Sequence, residues 1–152
     1  MTKIILSTSI NAPIQIVFDC ARSIDIHQLS TAKTNEKAIV GRITGLCELG
    51  DEVTWRAKHF GIWLELTSKI TEARRPEYFV DEMQKGTFKS LRHEHHFIKT
   101  DDGILMKDIF IFESPFGILG KIANYLVLKN YLKGFLIERN QFIKEMAESG
   151  RW

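Results

Sequence analysis

The chain has 152 residues, of which 44% are hydrophobic and 26% are charged, and its formal net charge at pH 7 is +2. This composition is ordinary for a globular protein, and the length predicts one domain over residues 1–152.

The small, scattered positive charge argues against a nucleic-acid partner. Cys20 and Cys47 form no C-x-x-C motif, which favours reduced thiols and a cytoplasmic location. Polar residues interrupt the hydrophobic stretches 1–18 and 116–135, so we expect neither a signal-peptide core nor an integral membrane segment.

The first predicted elements are a strand and two short helices. Lys3–Ile10 alternates and is rich in β-branched side chains, which predicts a strand. Asn11 is a candidate N-cap for the helix that follows, with Pro13 near its first turn. Apolar residues recur at helical spacing through residues 14–21. A second short helix is predicted around Asp25–Ala32.

Strand patterns begin at Glu36 and continue through six segments. Glycine-containing turns at roughly ten-residue spacing predict an antiparallel meander. Apolar and polar residues alternate in Glu52–Phe60 and Ile62–Thr71, which predicts a sheet that is covered on one face only. Trp55 and His59 belong to the apolar face of the first of these segments.

The segment Tyr78–Gln84 leaves two alternatives open. In one, the odd-numbered residues, including Asp81, face the interior. In the other, the even-numbered residues, including Glu82, face it. Because adjacent side chains of a strand face opposite sides of the sheet, we expect one of the two acidic residues inside and the other in solvent. We favour Glu82.

A hairpin is predicted from Phe88–Lys99 and Ile104–Glu113, which are joined by a turn that contains Gly103. Side chains in a strand alternate with period two, so each strand presents one inward stripe. The two stripes consist of Leu91, His93, His95 and Phe97 on the first strand and Met106, Asp108, Phe110 and Phe112 on the second. This register places Phe97 opposite Met106 and His95 opposite Asp108. An apolar stripe with two imidazoles and a carboxylate indicates a lined cavity.

After residue 117 the hydrophobic period changes to 3.6, which predicts one long amphipathic helix, with a break near Lys129 and Asn130. Its apolar stripe consists of Leu119, Ile122, Leu126, Leu132, Phe135, Leu136, Phe142, Ile143 and Met146. The predicted order is therefore one strand, two short helices, six strands and a long helix. Such a sheet packs its apolar face on the helix, and space left between a curved sheet and a helix is a natural ligand cavity.

This pattern resembles the SRPBCC superfamily, which groups START lipid-transfer domains, birch-pollen-type allergens, polyketide cyclases and ring-hydroxylase large subunits. The resemblance covers residues 3–147, and within the superfamily it is to a bacterial branch described as cyclase/dehydrase-like and sometimes as cell-division-inhibitor-like. Leu91 departs from the pattern, because relatives often carry an aromatic residue there. The residues that carry the resemblance are Ala12-Pro13, Val17-Phe18, Gly50-Asp51-Glu52-Val53-Thr54-Trp55-Arg56-Ala57, His59-Phe60-Gly61, Phe79-Val80-Asp81-Glu82-Met83, Gly86, His93-x-His95-x-Phe97, Met106-x-Asp108, Pro115-x-Gly117-x-Leu119-Gly120, Tyr131-Leu132 and Arg139-Asn140.

The resemblance implies an α+β helix-grip fold, in which a curved seven-stranded antiparallel sheet wraps around a long C-terminal helix. It also implies an internal cavity, but the superfamily includes binders, transporters and enzymes on one scaffold. Function must therefore be argued from the site itself.

The polar stripe of the hairpin has three interpretations. His95 opposite Asp108 suits a structural pair, acid–base chemistry on a bound carbonyl compound, or recognition of the polar end of a ligand. We favour ligand recognition. The His93-x-His95 spacing also suits a metal, with Asp108 or His59 as a further ligand. Two histidines on one strand are a weak metal signature, and we expect neither a metal nor a cofactor.

The sequence thus predicts a protein that binds or transports a small hydrophobic molecule. The alternative is a cofactor-free cyclase or dehydratase that acts on a polyketide-like or related carbonyl substrate, with His93, His95 and Asp108 as catalytic candidates. The predicted ligand-binding residues are Trp55, His59, Glu82, Leu91, His93, His95, Phe97, Met106, Asp108, Phe110 and Phe112.

Overall fold

The computed structural model describes residues 1–115, 117 and 127–152, and in these residues it has a seven-stranded antiparallel sheet and a long C-terminal helix. The predicted order of elements is confirmed. The helices are α1 (Ile14–Arg22), α2 (Ile24–Ser30) and α3 (Lys129–Ser149), with a 3₁₀ turn at Ala32–Thr34. The strands are β1 (Thr2–Ile10), β2 (Lys37–Gly41), β3 (Glu52–His59), β4 (Ile62–Arg74), β5 (Tyr78–Lys85), β6 (Ser90–Thr100) and β7 (Gly103–Glu113).

The strands lie in the spatial order β1-β7-β6-β5-β4-β3-β2, so the first strand closes against the last one. The predicted register of the β6–β7 hairpin is confirmed, with His95 opposite Asp108 and Phe97 opposite Met106. The turn requires glycine at position 103, because its φ is +136° and an added Cβ would lie 2.6 Å from the carbonyl oxygen of Ile10.

Strand β5 turns Asp81, not Glu82, toward the interior. Asp81 lies opposite His93, whereas Glu82 lies opposite Arg92 on the other face of the sheet. The Glu82 carboxylate accepts a hydrogen bond of 2.9 Å from Nη1 of Arg92. The prediction that placed Glu82 inside is therefore wrong, because a cation on the solvent side satisfies this carboxylate.

The N-terminal helices differ from the prediction in their caps. Pro13, not Asn11, is the N-cap residue of α1, and it has no side-chain hydrogen bond there. The backbone N–H of Asn11 instead donates to Oε1 of Glu148, which links the start of α1 to the end of α3. Ser23 caps α2 by accepting a hydrogen bond from the N–H of Ile26.

Helix α3 packs against β1, α1 and α2. Of the predicted apolar stripe, Leu136 and Ile143 are buried, whereas Leu119, Ile122 and Leu126 lie outside the described residues. Helix α3 begins at Lys129, but the preceding residue Leu128 already has helical φ and ψ of −64° and −41°, so the break near Lys129 and Asn130 stays a prediction. Among the described residues, no helix combines the length and apolar character that a membrane span requires.

The apolar core forms two clusters. The larger one surrounds Phe18, whose ring meets those of Phe79 and Phe97 edge-on at centroid distances of 5.6 and 5.4 Å. The smaller one lies near the other end of β6 and includes Leu91 and Phe112. Edge-to-face aromatic contacts of this kind add to the stabilisation from burial.

We expect Phe97→Ala to lower the free energy of unfolding by about 3–5 kcal/mol, because it leaves a cavity among the rings of the larger cluster. The matched control is Ile98→Ala on the opposite face of β6, where the side chain is 45% exposed, with an expected loss below about 1 kcal/mol. Urea denaturation measures both values. Equal losses would contradict the inward orientation of position 97.

Candidate functional site

A cavity of about 400 Å³ lies between the sheet and α3. We call it the larger cavity. Its volume falls within the range that is usual for small-molecule sites. Its apolar walls include Trp55, Leu64, Leu66, Leu91 and Phe110 from the sheet and Leu132, Phe135 and Leu136 from α3.

A second cavity of about 90 Å³, the smaller cavity, adjoins the first. The two share several lining residues, so their boundary is a common wall. The shared residues are His27, Trp55, Ser68, Asp81, His93 and Arg139. Most of these are polar, so the polar end of the combined space lies where the two cavities meet.

The carboxylate of Asp108 is the centre of this polar region. The residue is fully buried, and its two oxygens accept hydrogen bonds from Nε2 of His93 at 2.8 Å and from Nδ2 of Asn140 at 2.7 Å. Nδ1 of His95 lies 3.2 Å from Oδ1 of Asp108, which is close enough for an ion pair, but it is not aligned for a hydrogen bond. Asp108 thus connects β6 and β7 to α3.

His95 lies between two carboxylates. Its Nε2 is 2.8 Å from Oδ2 of Asp81, on the side away from Asp108, and its ring stacks on Phe79 at a centroid distance of 4.1 Å. Burial by itself would lower the pKa of His95, but Asp108 and Asp81 outweigh burial and raise it. We therefore assign His95 as the imidazolium of the cluster.

Both carboxylates stay ionised. Burial alone would raise the pKa of Asp108, yet the hydrogen bond from His93 and the proximity of His95 hold that pKa well below its usual range. The same balance lowers the pKa of Asp81, where burial is the largest single effect but the hydrogen bond from His95 and the nearby positive charges together outweigh it.

His93 is the neutral histidine. Burial and the nearby charge of His95 lower the pKa of His93 to about 4, against the opposing effect of Asp108. Since an ionised Asp108 can only accept, Nε2 of His93 must carry the hydrogen. Nδ1 of His93 is then an acceptor, and it has no hydrogen-bond partner among the described residues.

Arg139 supplies the second positive charge. It is 4% exposed, and its Nη1 and Nη2 donate to Oδ1 of Asn140 at 2.9 Å and to the carbonyl oxygen of Ala21 at 3.3 Å. Nη1 also lies 3.7 Å from Oδ1 of Asp108. Two carboxylates, one imidazolium and one guanidinium therefore balance, as a buried ionic cluster requires.

Two further polar pairs border the larger cavity. Nε2 of His27 lies 2.8 Å from Oε1 of Glu36, and Nδ1 of His59 lies 2.6 Å from the hydroxyl of Tyr131. Burial lowers the pKa of His59, so the His59–Tyr131 pair is a contact between neutral groups. This contact links the end of β3 to the first turn of α3.

The structure separates the predicted ligand-binding residues into groups. His95 lines the smaller cavity, and Glu82 lies on the outer face. Those that line the larger cavity are Trp55, His59, Leu91, His93 and Phe110. Those that line neither cavity are Phe97, Met106, Asp108 and Phe112.

The prediction that these last four residues form cavity wall is wrong. Phe97 and Met106 pack in the larger core cluster, and Phe112 packs in the smaller one. Asp108 is covered by the histidine rings and by Asn140, which bind its oxygens. Their inward direction was predicted correctly, but an inward side chain can fill the core as well as line a cavity.

Sequence reasoning missed Arg139 and Asn140, and of its two alternatives for β5 it favoured Glu82 over Asp81. Asn140 has a recognisable signal, because Leu136, Asn140 and Ile143 lie on one face of α3, and an amide in an apolar stripe calls for a buried partner. Arg139 lies at the edge of the same apolar stripe, where a charged side chain likewise indicates a buried partner.

Asp81, His93 and His95 each offer one possible metal-ligand atom, and these atoms lie within 4.8 Å of one another. Metal-bound histidine must be neutral. Carboxylates on both sides of His95 stabilise its protonated form instead. The donor set therefore fits an ionic cluster better than a metal site.

No protein-family model and no curated protein matches the chain. Solved structures do match it. They include TTHA0849 from Thermus thermophilus, with a TM-score of 0.72, 14% identity and coverage of 93% of this chain and 97% of that one. Ginseng major latex-like protein 151 from Panax ginseng has a TM-score of 0.71 and 16% identity, with coverage of 96% and 97%. A protein of unknown function, SA2116 from Staphylococcus aureus, has a TM-score of 0.73 and 11% identity, with coverage of 99% and 95%.

The chain has the SRPBCC-like helix-grip fold. Identities this low show the fold alone, and the fold predicted from the sequence is confirmed. In this helix-grip protein, the cluster around Asp108 lies where the sheet and the gripped helix meet.

Asn140→Ala removes the hydrogen bond from α3 to Asp108 and leaves a buried carboxylate oxygen without a partner. We expect the free energy of unfolding to fall by about 1–3 kcal/mol. Gln141→Ala is the control, because the neighbouring side chain is exposed and, among the described residues, its hydrogen bond is to Glu145 on the same helix; its expected effect is within about 0.5 kcal/mol. Denaturant unfolding of the two variants at neutral pH tests this, and losses of the same size would refute the role of Asn140.

The lowered pKa of His93 predicts a pH dependence of stability. Between pH 6.5 and about 4 the unfolded chain binds a proton at this histidine that the folded protein does not bind. The free energy of unfolding therefore falls as pH falls through this window, by up to about 3 kcal/mol from this residue.

His93→Gln should flatten this pH dependence, whereas His96→Gln should retain it, because His96 lies on the outer face beside Glu94. Thermal or urea unfolding across the window compares the three proteins. A His93→Gln profile as steep as that of the unsubstituted protein would show that His93 does not carry the effect.

Proposed function

We propose that this protein binds a small, largely apolar molecule in the larger cavity. The observation that carries the proposal is a space of about 400 Å³ with apolar walls from both sheet and helix, which ends at a charge-balanced polar cluster. Ligand sites typically combine walls of this kind with a few polar groups that fix orientation. The helix-grip fold supports the proposal, because its sheet and helix leave room between them.

Apolar contact would supply most of the affinity. Each 100 Å² of apolar ligand surface removed from water contributes roughly 2.5 kcal/mol before the ordering costs of binding. Trp55, Leu91, Phe110 and Leu136 provide such surface on opposite sides of the cavity. The polar groups would then select and orient the ligand rather than hold it.

The geometry supports binding more than acid–base catalysis. Asp108 is fully buried behind its partners, and both ring nitrogens of His95 face carboxylates. Only His93 among the three catalytic candidates lines the larger cavity. Its pKa of about 4 makes it a weak general base at neutral pH, since effective bases have pKa values near the working pH. The cyclase or dehydratase alternative therefore has less support.

Narrowing the larger cavity should weaken binding of an apolar guest. Ala57 is buried and lines this cavity, whereas the next residue, Lys58, points to the other face of β3. We expect Ala57→Leu to weaken binding of the uncharged fluorescent probe N-phenyl-1-naphthylamine by at least about ten-fold, and Lys58→Gln to leave it unchanged.

Fluorescence titration gives the affinities, and circular dichroism confirms that both variants are folded. Equal affinities for Ala57→Leu and Lys58→Gln would place the probe outside the larger cavity and would contradict the proposal.

A further inference from the structure

The wall shared by the two cavities carries the polar groups that a guest in the larger cavity would meet. Asp81 and His93 both belong to this wall. So does Ser68, whose hydroxyl can donate or accept. The chemical character of this wall therefore decides which polar end a ligand can have.

Asp81 and His93 both present an acceptor here. Oδ2 of Asp81 is bound to His95, but Oδ1 accepts no hydrogen bond from the described residues, and the side chain is 23% exposed. Nδ1 of His93 is an acceptor without a described partner, because Nε2 donates to Asp108. A ligand group that donates hydrogen bonds would satisfy both acceptors.

The guanidinium of this wall already has its charge balanced within the protein. Nη1 of Arg139 lies 3.7 Å from Oδ1 of Asp108, and its two terminal nitrogens also donate to Asn140 and to the carbonyl oxygen of Ala21. A second acidic side chain, Glu36, lines the larger cavity, where it pairs with His27. A negatively charged ligand group would therefore meet carboxylates on two sides of the cavity and no free cation among the described residues.

From this arrangement we infer that the ligand has a hydrogen-bond-donating polar end, a hydroxyl or an amine, which binds Asp81 and His93, and that ligands ending in a carboxylate are rejected. The inference rests on the proposed function, since it requires a guest in the larger cavity. A hydroxyl would donate to one of the two acceptors, whereas an ammonium group could donate to both and would also gain from the charge of Asp81.

Three amphiphiles with the same chain test the inference: dodecan-1-ol, dodecylamine and dodecanoic acid. Each competes with the uncharged probe N-phenyl-1-naphthylamine in a fluorescence displacement titration at neutral pH, below its aggregation concentration. We expect the alcohol, the amine or both to bind at least about ten-fold more tightly than the carboxylate. The relative affinities of alcohol and amine then identify which donor the site prefers.

Asp81→Asn should reduce the preference, because the variant keeps the shape of the side chain but removes its charge and adds a donor. The amine should lose affinity and the carboxylate should gain it. Glu82→Gln is the matched control, since the neighbouring carboxylate pairs with Arg92 on the outer face, and it should leave the ranking unchanged.

The outcomes separate the two proposals. If neither the probe nor any of the amphiphiles binds, the proposed function fails. If the probe and amphiphiles bind but the carboxylate binds as tightly as the alcohol and the amine, the proposed function stands and this inference is overturned. The ranking in the unsubstituted protein decides the question even if Asp81→Asn does not fold.

Discussion

The buried carboxylate of Asp108 is the interaction on which the site depends. An ionised carboxylate without water is stable only if charged or hydrogen-bonding groups replace its hydration. Here the replacements come from His93 and His95 on β6 and from Asn140 on α3. Satisfying one charge therefore fixes the helix against the sheet at one point, while the apolar walls elsewhere remain far enough apart to leave the larger cavity.

The same cluster sets the chemistry of the cavity. His95 is held between Asp108 and Asp81 and keeps its proton, so the neighbouring His93 stays neutral. On His93 and Asp81 the cluster leaves acceptors without described partners. The positive charges, in contrast, are used within the cluster, because Arg139 binds protein oxygens. In the proposed complex the cations would stay within the cluster and these acceptors would bind the guest.

Strand periodicity was sufficient to predict the sheet, the register of the hairpin and the opposition of His95 and Asp108. It could not predict Asp81, because Phe79 and Val80 are both buried and alternation does not separate the two faces there. Periodicity also could not distinguish an inward side chain that lines the cavity from one that fills the apolar core. Phe97 faces inward, but it packs on other aromatic rings. The inward direction of Asp81 and the packing of Phe97 both depend on tertiary contacts. The wrong choice of Glu82 has the same origin, since its partner on the outer face comes from another strand.

Histidine nitrogen NMR tests the charge assignment most directly, since it reports the protonation of each imidazole nitrogen separately. In a two-dimensional proton–nitrogen spectrum at neutral pH, we expect His95 to carry hydrogens on both nitrogens and His93 to be neutral, with its hydrogen on Nε2. A neutral His95 would contradict the account, and so would a His93 that is charged or carries its hydrogen on Nδ1, because the cluster would then present a donor to the cavity instead of an acceptor.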